Sequence, residues 1–204
     1  MRIPAITTIR NTLGALMVGG TVLFTPMTAK TQPPKDTFEY TQTIPPQGTT
    51  DSLALKSAPN PQVTIKGETK NAVFVVDISK NVLYHYDENS KAIEAFSVAS
   101  GATSTPTHTG VRIVSHVETY PYRTAPKSTK RYKNPSAYGP RAIILDKIDP
   151  ITGETSYYGE FIHGNKDASS IGKYVSQGCM RMDNEVIKRL AKQVKRGLLV
   201  VIKK

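Results

Sequence analysis

Two side chains in the C-terminal part of the chain have the chemistry of a nucleophile and its base. Cys179 is the only cysteine, and His163 precedes it by 16 positions. A lone cysteine is more often an inert, buried apolar residue. However, Cys179 follows Gly178 and lies two residues before Arg181, a polar and cationic setting that favours a thiolate. Because catalysis by a thiol requires a base, we interpret Cys179 and His163 as a catalytic pair within hydrogen-bond reach of each other.

The neighbours of Cys179 predict how the reaction is supported. Gly178 permits a tight turn, and the backbone amides of Gly178 and Cys179 are natural donors to the oxyanion of a tetrahedral intermediate. Ser176, Gln177 and Arg181 complete a polar, substrate-binding loop. The N-terminal dipole of the helix predicted after this loop also favours a thiolate. We therefore expect Cys179 to be reactive and partly exposed in a groove.

The sequence indicates no metal and no organic cofactor. One cysteine and four histidines lack the close spacing of a zinc site. We interpret His85, His108 and His116 as structural or surface residues. His108 is kept as a candidate for the rim of the substrate pocket.

Hydrophobic alternation predicts a mostly-β domain, a sandwich or barrel, that must position this loop. The predicted strands are Ala72–Ile78, Val82–Tyr86, Ile93–Ala99, Val111–His116, Arg141–Leu145, Tyr157–His163 and Leu198–Ile202. One helix is predicted, capped by Asp183 and running to Arg196, with Gly197 ending it and its apolar face packed at the edge of the sheet. The long polar segment Val117–Pro140 is a candidate binding loop or lid.

The N-terminal segment, residues 1–29, has the order of a secretory signal peptide. Arg2 and Arg10 precede the apolar stretch LGALMVGGTVLFTPM, and small residues follow it. An uncleaved anchor in the inner membrane is the alternative, and it would be the only membrane contact. Either way, we expect the protein in the periplasm or cell envelope.

Residues 30–69, rich in Pro, Thr and Gln, predict a flexible linker, and residues 70–204 a single catalytic domain. The formal net charge of +11 belongs mostly to the domain. That charge fits either an ordinary solvated basic surface or an anionic partner. No nucleic-acid-binding motif accompanies it, and export would remove the protein from nucleic acid.

Together these motifs resemble the L,D-transpeptidases, bacterial cysteine enzymes that cross-link peptidoglycan. The resemblance rests on His163-Gly164, the Ser-x-Gly-Cys-x-Arg segment at residues 176–181, the Thr-Pro segment at residues 105–110 and the opening hairpin at residues 73–86. It spans roughly residues 70–202. One position departs from the family pattern, because Gln177 stands where members commonly have His.

The resemblance implies a mostly-β fold and a role for each site residue. Cys179 would attack the carbonyl of the third residue of a wall tetrapeptide, release D-alanine and form a thioester, and His163 would be the base. The backbone carbonyl of Gly164 would orient the imidazole. The acyl group would then pass to an amine of a second stem peptide. Carbapenem-type β-lactams would acylate the same thiol.

Two other functions remain open on the sequence alone. Water instead of an amine could take the acyl group, giving an L,D-carboxypeptidase or an enzyme that cuts existing cross-links. Alternatively, the change at Gln177 could mark an inactive wall-binding module. Product analysis separates these functions, since the motifs are common to all of them.

Overall fold

The computed structural model describes residues 55–204, which form a mostly-β structure. The predicted export segment and the predicted linker up to residue 54 lie outside the described residues. The strands are β1 (Gln62–Ile65), β2 (Glu68–Asp77), β3 (Val82–Tyr86), β4 (Ala92–Ser97), β5 (Ser100–Gly101), β6 (Gly110–Thr119), β7 (Arg141–Ile148), β8 (Thr155–His163), β9 (Tyr174–Ser176), β10 (Met180–Arg181) and β11 (Leu199–Lys203). The helices are α1 (Lys130–Lys133) and α2 (Asn184–Gln193), with short 3-10 helices at Pro135–Tyr138 and Ala168–Ser170. Within residues 55–204, no helix is long and apolar enough to span a bilayer.

Most strands belong to one mixed sheet in the order β10-β8-β7-β6-β11-β2-β3-β4. The β10–β8 and β11–β2 pairs are parallel, and the other neighbours along this order are antiparallel. The two ends of the sheet meet where Ala99, just after β4, exchanges backbone hydrogen bonds of 2.7 and 2.9 Å with Arg181 of β10. The sheet therefore curls towards closure, which confirms the predicted mostly-β, barrel-like fold.

The main core lies inside this curled sheet, and α2 packs into it over β7 and β8. The buried apolar residues of α2 share one face, as the sequence predicts: Val186, Ile187, Leu190 and Ala191. They join side chains from both ends of the sheet, among them Phe96 of β4 and Met180 of β10. Because Met180 directly follows Cys179, burial of this methionine anchors the reactive loop to the core.

The two ends of α2 are set by different contacts. Asp183 caps the first turn by accepting hydrogen bonds of 2.8 and 3.1 Å from two backbone N–H groups. The helix stops before the predicted end at Arg196, because Val194 has an extended conformation while its side chain stays in the core. The Gly197 N–H then donates to the Val114 carbonyl (2.9 Å), which leads the chain into β11. Pairing with β6 therefore ends the helix early.

Strand pairing also begins before the predicted domain boundary at residue 70. β1 pairs antiparallel with the first half of β2, with Gln62 opposite Asn71. Residues 62–69, assigned to the linker from their composition, thus belong to a hairpin, and Ile65 is buried. The polar residues of this hairpin conceal it in the sequence, since few apolar side chains mark the alternation.

Candidate active site

Cys179 lies in the tight connection between β9 and β10. Gly178 has φ +105°, a conformation that side-chain-bearing residues rarely adopt. In the parallel β10–β8 pair, Arg181 lies opposite His163. Since paired residues and residues two apart on a strand share a face, Arg181, Phe161 and His163 face the same side, and Cys179 directly precedes β10. The strand pairing thus places the candidate base beside the loop that carries the candidate nucleophile, and both line one cavity.

The Thr-Pro segment braces the loop that carries the thiol. The Thr105 hydroxyl donates to the Ser176 carbonyl (2.9 Å), and the Thr107 hydroxyl donates to the Gly178 carbonyl (2.7 Å). Thr107 also accepts from the Gly101 N–H (2.9 Å). This explains physically why a Thr-Pro segment so far from Cys179 in the sequence belongs to the site.

The sulfur of Cys179 lies against the edge of β8. Cys179 is half-buried. Its thiol lies 4.0 Å from the Gly159 carbonyl, a long contact, and its sulfur accepts a hydrogen bond from the Phe161 N–H. Burial raises the pKa of Cys179 to about 11, outweighing the opposing effects of the Phe161 N–H and the Arg181 charge. The resting group is therefore a thiol, whereas the sequence predicted a stabilised thiolate.

The helix after the loop does not supply the expected electrostatic help. The Asp183 side chain accepts hydrogen bonds from first-turn N–H groups of α2, so these groups are not available to stabilise a thiolate. Its carboxylate also places negative charge at the helix terminus. The predicted effect of the helix dipole on Cys179 is therefore offset locally. Of the predicted influences, the charge of Arg181 does act in the expected direction, because it lowers the pKa of Cys179.

His163 is buried and held from two sides. Its Nδ1–H donates to the Gly164 carbonyl (2.5 Å), and its ring lies 4.8 Å from the Tyr138 ring, centroid to centroid. Burial lowers the pKa of His163 to about 4, although the carbonyls of Gly164 and Tyr138 act in the opposite direction. The imidazole is therefore neutral at neutral pH, with Nε2 as its basic atom.

The thiol and the imidazole line the same cavity, and no hydrogen bond between them is among the described contacts. The hydrogen-bonding partners of the sulfur are the Gly159 carbonyl and the Phe161 N–H, both on β8. The expectation that the two groups lie within hydrogen-bond reach, with loose geometry before substrate binds, stays a prediction.

A cavity of about 430 Å³ connects the pair to solvent. It is lined by Lys130, Lys133, Asn134, Ala137, Tyr138, His163, Val175, Ser176, Gln177, Cys179 and Arg181. The segment predicted as a binding loop thus forms one wall, and the loop before Cys179 forms the other. The walls meet where the Lys130 ammonium donates to Gln177 Oε1 (2.8 Å).

The oxyanion donors predicted from the sequence are not equivalent. The Gly178 N–H already donates to Ser176 Oγ (3.1 Å), and the Ser176 hydroxyl donates to the Cys179 carbonyl (2.6 Å). Buried Ser176 therefore shapes the turn from within. Of the two predicted amides, only that of Cys179 has no hydrogen bond among the described contacts.

Sequence reasoning missed two residues that hold the base in place. Tyr138 packs its ring on His163 and is itself fixed where the Tyr122 hydroxyl donates to its carbonyl (3.0 Å). Asn184, the first residue of α2, bonds both backbone groups of Asn165 at 2.9 Å. Its position directly after the Asp183 cap could have marked it, because side chains of a first helical turn often reach back to preceding loops.

Gly164 fits beneath Asn184 only because it has no side chain. A Cβ on Gly164 would lie 2.2 Å from Asn184 Oδ1 and 2.8 Å from Pro140 Cδ. The residue whose carbonyl orients His163 is therefore enclosed by α2 and the end of the binding loop.

A second cavity, of about 580 Å³, lies on the far side of the Thr-Pro segment. Its lining includes His108, Thr107 and Tyr174. His108 was expected at the rim of the substrate pocket, but it lines this other cavity and approaches Glu160 (3.9 Å). Neither Cys179 nor His163 lines it.

Comparisons with known proteins identify a family for the chain. A family model, the L,D-transpeptidase catalytic domain (YkuD), matches residues 71–202. The probable L,D-transpeptidase ErfK/SrfK of Escherichia coli K12 is 28% identical over 146 residues, covering 70% of this chain and 47% of that protein. The putative L,D-transpeptidase YkuD of Bacillus subtilis 168 is 30% identical over 115 residues, covering 56% of each. The chain spans about half the length of these curated relatives.

Solved structures of the same kind are more distant in sequence. An L,D-transpeptidase from Mycobacterium smegmatis has a TM-score of 0.45 and 16% identity, over 70% of this chain and 66% of that one. L,D-transpeptidase 3 from Mycobacterium tuberculosis, solved with a faropenem-derived adduct, has a TM-score of 0.44 and 15% identity, over 70% and 67%. The family model covers well over half of the chain, including both motifs of the site. The chain belongs to the L,D-transpeptidase catalytic domain family.

Proposed function

We propose that this protein is a peptidoglycan L,D-transpeptidase in which Cys179 is the nucleophile and His163 the base. The observation that carries the proposal is that the only thiol of the chain and a neutral imidazole line one cavity. The Gly164 carbonyl accepts the Nδ1 proton, so Nε2 is the ring atom that would take the thiol proton. This is the arrangement that a protonated nucleophile requires.

In the first half-reaction, Cys179 attacks the carbonyl carbon of the third residue of a tetrapeptide donor. His163 Nε2 takes the thiol proton as the sulfur–carbon bond forms. The tetrahedral intermediate then expels the amine of D-alanine, which receives that proton from the imidazolium. The products are free D-alanine, a thioester on Cys179 and a neutral His163.

In the second half-reaction, a side-chain amine of another stem peptide attacks the thioester carbon. His163 accepts a proton from the attacking amine and returns it to the leaving sulfur. The new peptide bond is a cross-link, and the thiol is regenerated. The Cys179 N–H is the amide available to the oxyanion in both halves.

Location and inhibitors follow from this chemistry. A substrate in the wall requires an exported enzyme, in agreement with the signal-like order of residues 1–29. A thiol that attacks a wall amide also attacks the strained ring carbonyl of a carbapenem-type β-lactam. We expect an intact-mass increase equal to one inhibitor on the wild type and none on Cys179→Ala.

Mass spectrometry with a disaccharide tetrapeptide donor tests the proposal. The wild type should release D-alanine and carry an acyl adduct, and an added amine acceptor should convert the adduct to a cross-linked product. Cys179→Ala should release no D-alanine and serves as the control. Tripeptide without cross-linked product would identify a hydrolase. A wild type that binds the donor without releasing D-alanine would identify a wall-binding module and refute the proposal.

A further inference from the structure

The wall of the catalytic cavity opposite Cys179 is cationic. Lys130 and Lys133 of α1 line it, and Arg181 lines the opposite side beside the catalytic pair. No carboxylate is among the residues that line this cavity. A confined space with positive groups on two sides attracts anions.

The two lysines are presented by a rigid support. Arg131, between them, is buried and donates two hydrogen bonds to the Glu118 carboxylate, at 2.6 and 3.2 Å. Its guanidinium also lies 5.0 Å from the centre of the Phe161 ring. This buried pair neutralises the one arginine of α1 that faces inward and fixes the turn against β6 and β8. The charges of Lys130 and Lys133 therefore remain available at the cavity.

These lysines lack acidic partners. Lys130 donates to the neutral Gln177 amide (2.8 Å). No salt bridge of either lysine is present among the described residues. What distinguishes these two lysines is that both line a cavity whose lining contains no carboxylate.

We propose that Lys130 and Lys133 form a carboxylate subsite that selects the donor peptide. The proposal rests on the function proposed above. With the scissile carbonyl at Cys179, the D-alanine carboxylate would lie only a few bonds away, within reach of Arg181, which lines the same cavity. The lysines across the cavity then take a more distant carboxylate, the one at the end of the side chain of a diaminopimelate-type third residue. The subsite thus distinguishes a free distal carboxylate from its amide.

The subsite is tested with two tetrapeptide donors that differ only at this group, one with a free acid and one with a primary amide. We expect the full-length wild type to show about tenfold higher kcat/KM for D-alanine release from the free acid, with roughly threefold from each exposed lysine. Added salt should reduce this preference. A third donor, with the distal carboxylate free and the glutamate carboxylate amidated, should behave like the free acid.

Matched variants locate the effect. Lys133→Met should reduce the preference for the free acid, and the double variant with Lys130→Met should bring it close to one. Lys127→Met removes an exposed lysine that does not line the cavity, and it should keep the wild-type preference. Circular dichroism checks that each variant is folded.

The possible failures are distinguishable. Equal kcat/KM for the free acid and the amide, or a preference that persists in the double variant, would overturn the subsite and leave the transpeptidase function intact. A preference that follows the glutamate carboxylate would overturn the assignment to the third residue. No D-alanine release from any donor would refute the proposed function and the subsite together.

Discussion

The ionisation of Cys179 gives the sharpest test of the site, because the sequence and the structure predict opposite states. The sequence predicted a thiolate, whereas burial raises the pKa of Cys179 to about 11, from an ordinary 9.0. At pH 8, a pKa near 11 leaves about one thiol in a thousand ionised, against about one in ten for an ordinary cysteine. Alkylating reagents react with the thiolate. Native Cys179 should therefore react about a hundredfold more slowly than the same residue in the unfolded chain.

Alkylation by iodoacetamide between pH 5 and 11, followed by intact mass, measures this state. The chain has only one cysteine, so the adducts that the wild type forms and Cys179→Ala does not form report on Cys179, and adducts common to both proteins measure reaction at lysines. The rate should keep rising up to about pH 11 in the native protein and level off near pH 9 in guanidinium chloride. Arg181→Met should slow the reaction further at a given pH, since the guanidinium charge lowers the pKa of Cys179.

One result would refute this reasoning. A native rate that is already constant from about pH 6 upwards would indicate a thiolate–imidazolium pair. In that case the imidazolium stabilises the thiolate by more than burial destabilises it, and His163 would act as a cation before catalysis. The first half-reaction would then begin from a preformed nucleophile.

Three further predictions concern the surroundings of the pair. Asn184→Ala leaves two buried backbone groups without partners and should lower the free energy of unfolding by about 2–4 kcal/mol in urea titrations, whereas Asn89→Ala, at an exposed position, should change it by less than about 0.5 kcal/mol. Since the pKa of His163 falls from 6.5 to about 4 on folding, the unfolded state binds the proton more tightly. Stability should therefore decrease by roughly 3 kcal/mol between pH 7 and pH 4 through this group, and His163→Gln should remove that part of the pH dependence. Gln177→His should keep activity within about tenfold, because Gln177 is exposed and its side chain contacts Lys130. A hundredfold gain would mean that Gln177 impairs the natural site.

The candidate pair could be proposed from sequence because the chemistry assigned to it depends on residue type. A single thiol after Gly178 and a histidine at the end of a strand with alternating hydrophobicity suggest a nucleophile and its base from the sequence alone. The main strands and the apolar face of α2 were also predictable, since burial on one side imposes a period on the sequence. β1 was not, because the hairpin that it forms with the first half of β2 is polar and shows little hydrophobic alternation.

The ionisation state of the pair could not be predicted, because it depends on contacts between distant segments. Tyr138 covers His163 from a segment that precedes it by 25 positions. The Phe161 N–H reaches the sulfur only because β8 and β10 are neighbours. Local sequence shows the charge of Arg181 but not the burial that outweighs it. The contact of the α1 lysines with the cavity likewise depends on distant residues, because Lys130 bonds Gln177, which follows it by 47 positions.

Burial and charge have complementary effects in this site. A protonated, half-buried thiol is a poor target for oxidants, which would matter for the exported enzyme proposed above. The same burial leaves His163 neutral, so that it is competent to take a proton at neutral pH. What this arrangement lacks is a preformed nucleophile, so the proposed reaction requires the donor to be held while proton transfer and attack occur together. The proposed subsite would supply that restraint, because a cationic wall that binds an anionic donor in the cavity would offset the cost of a protonated thiol.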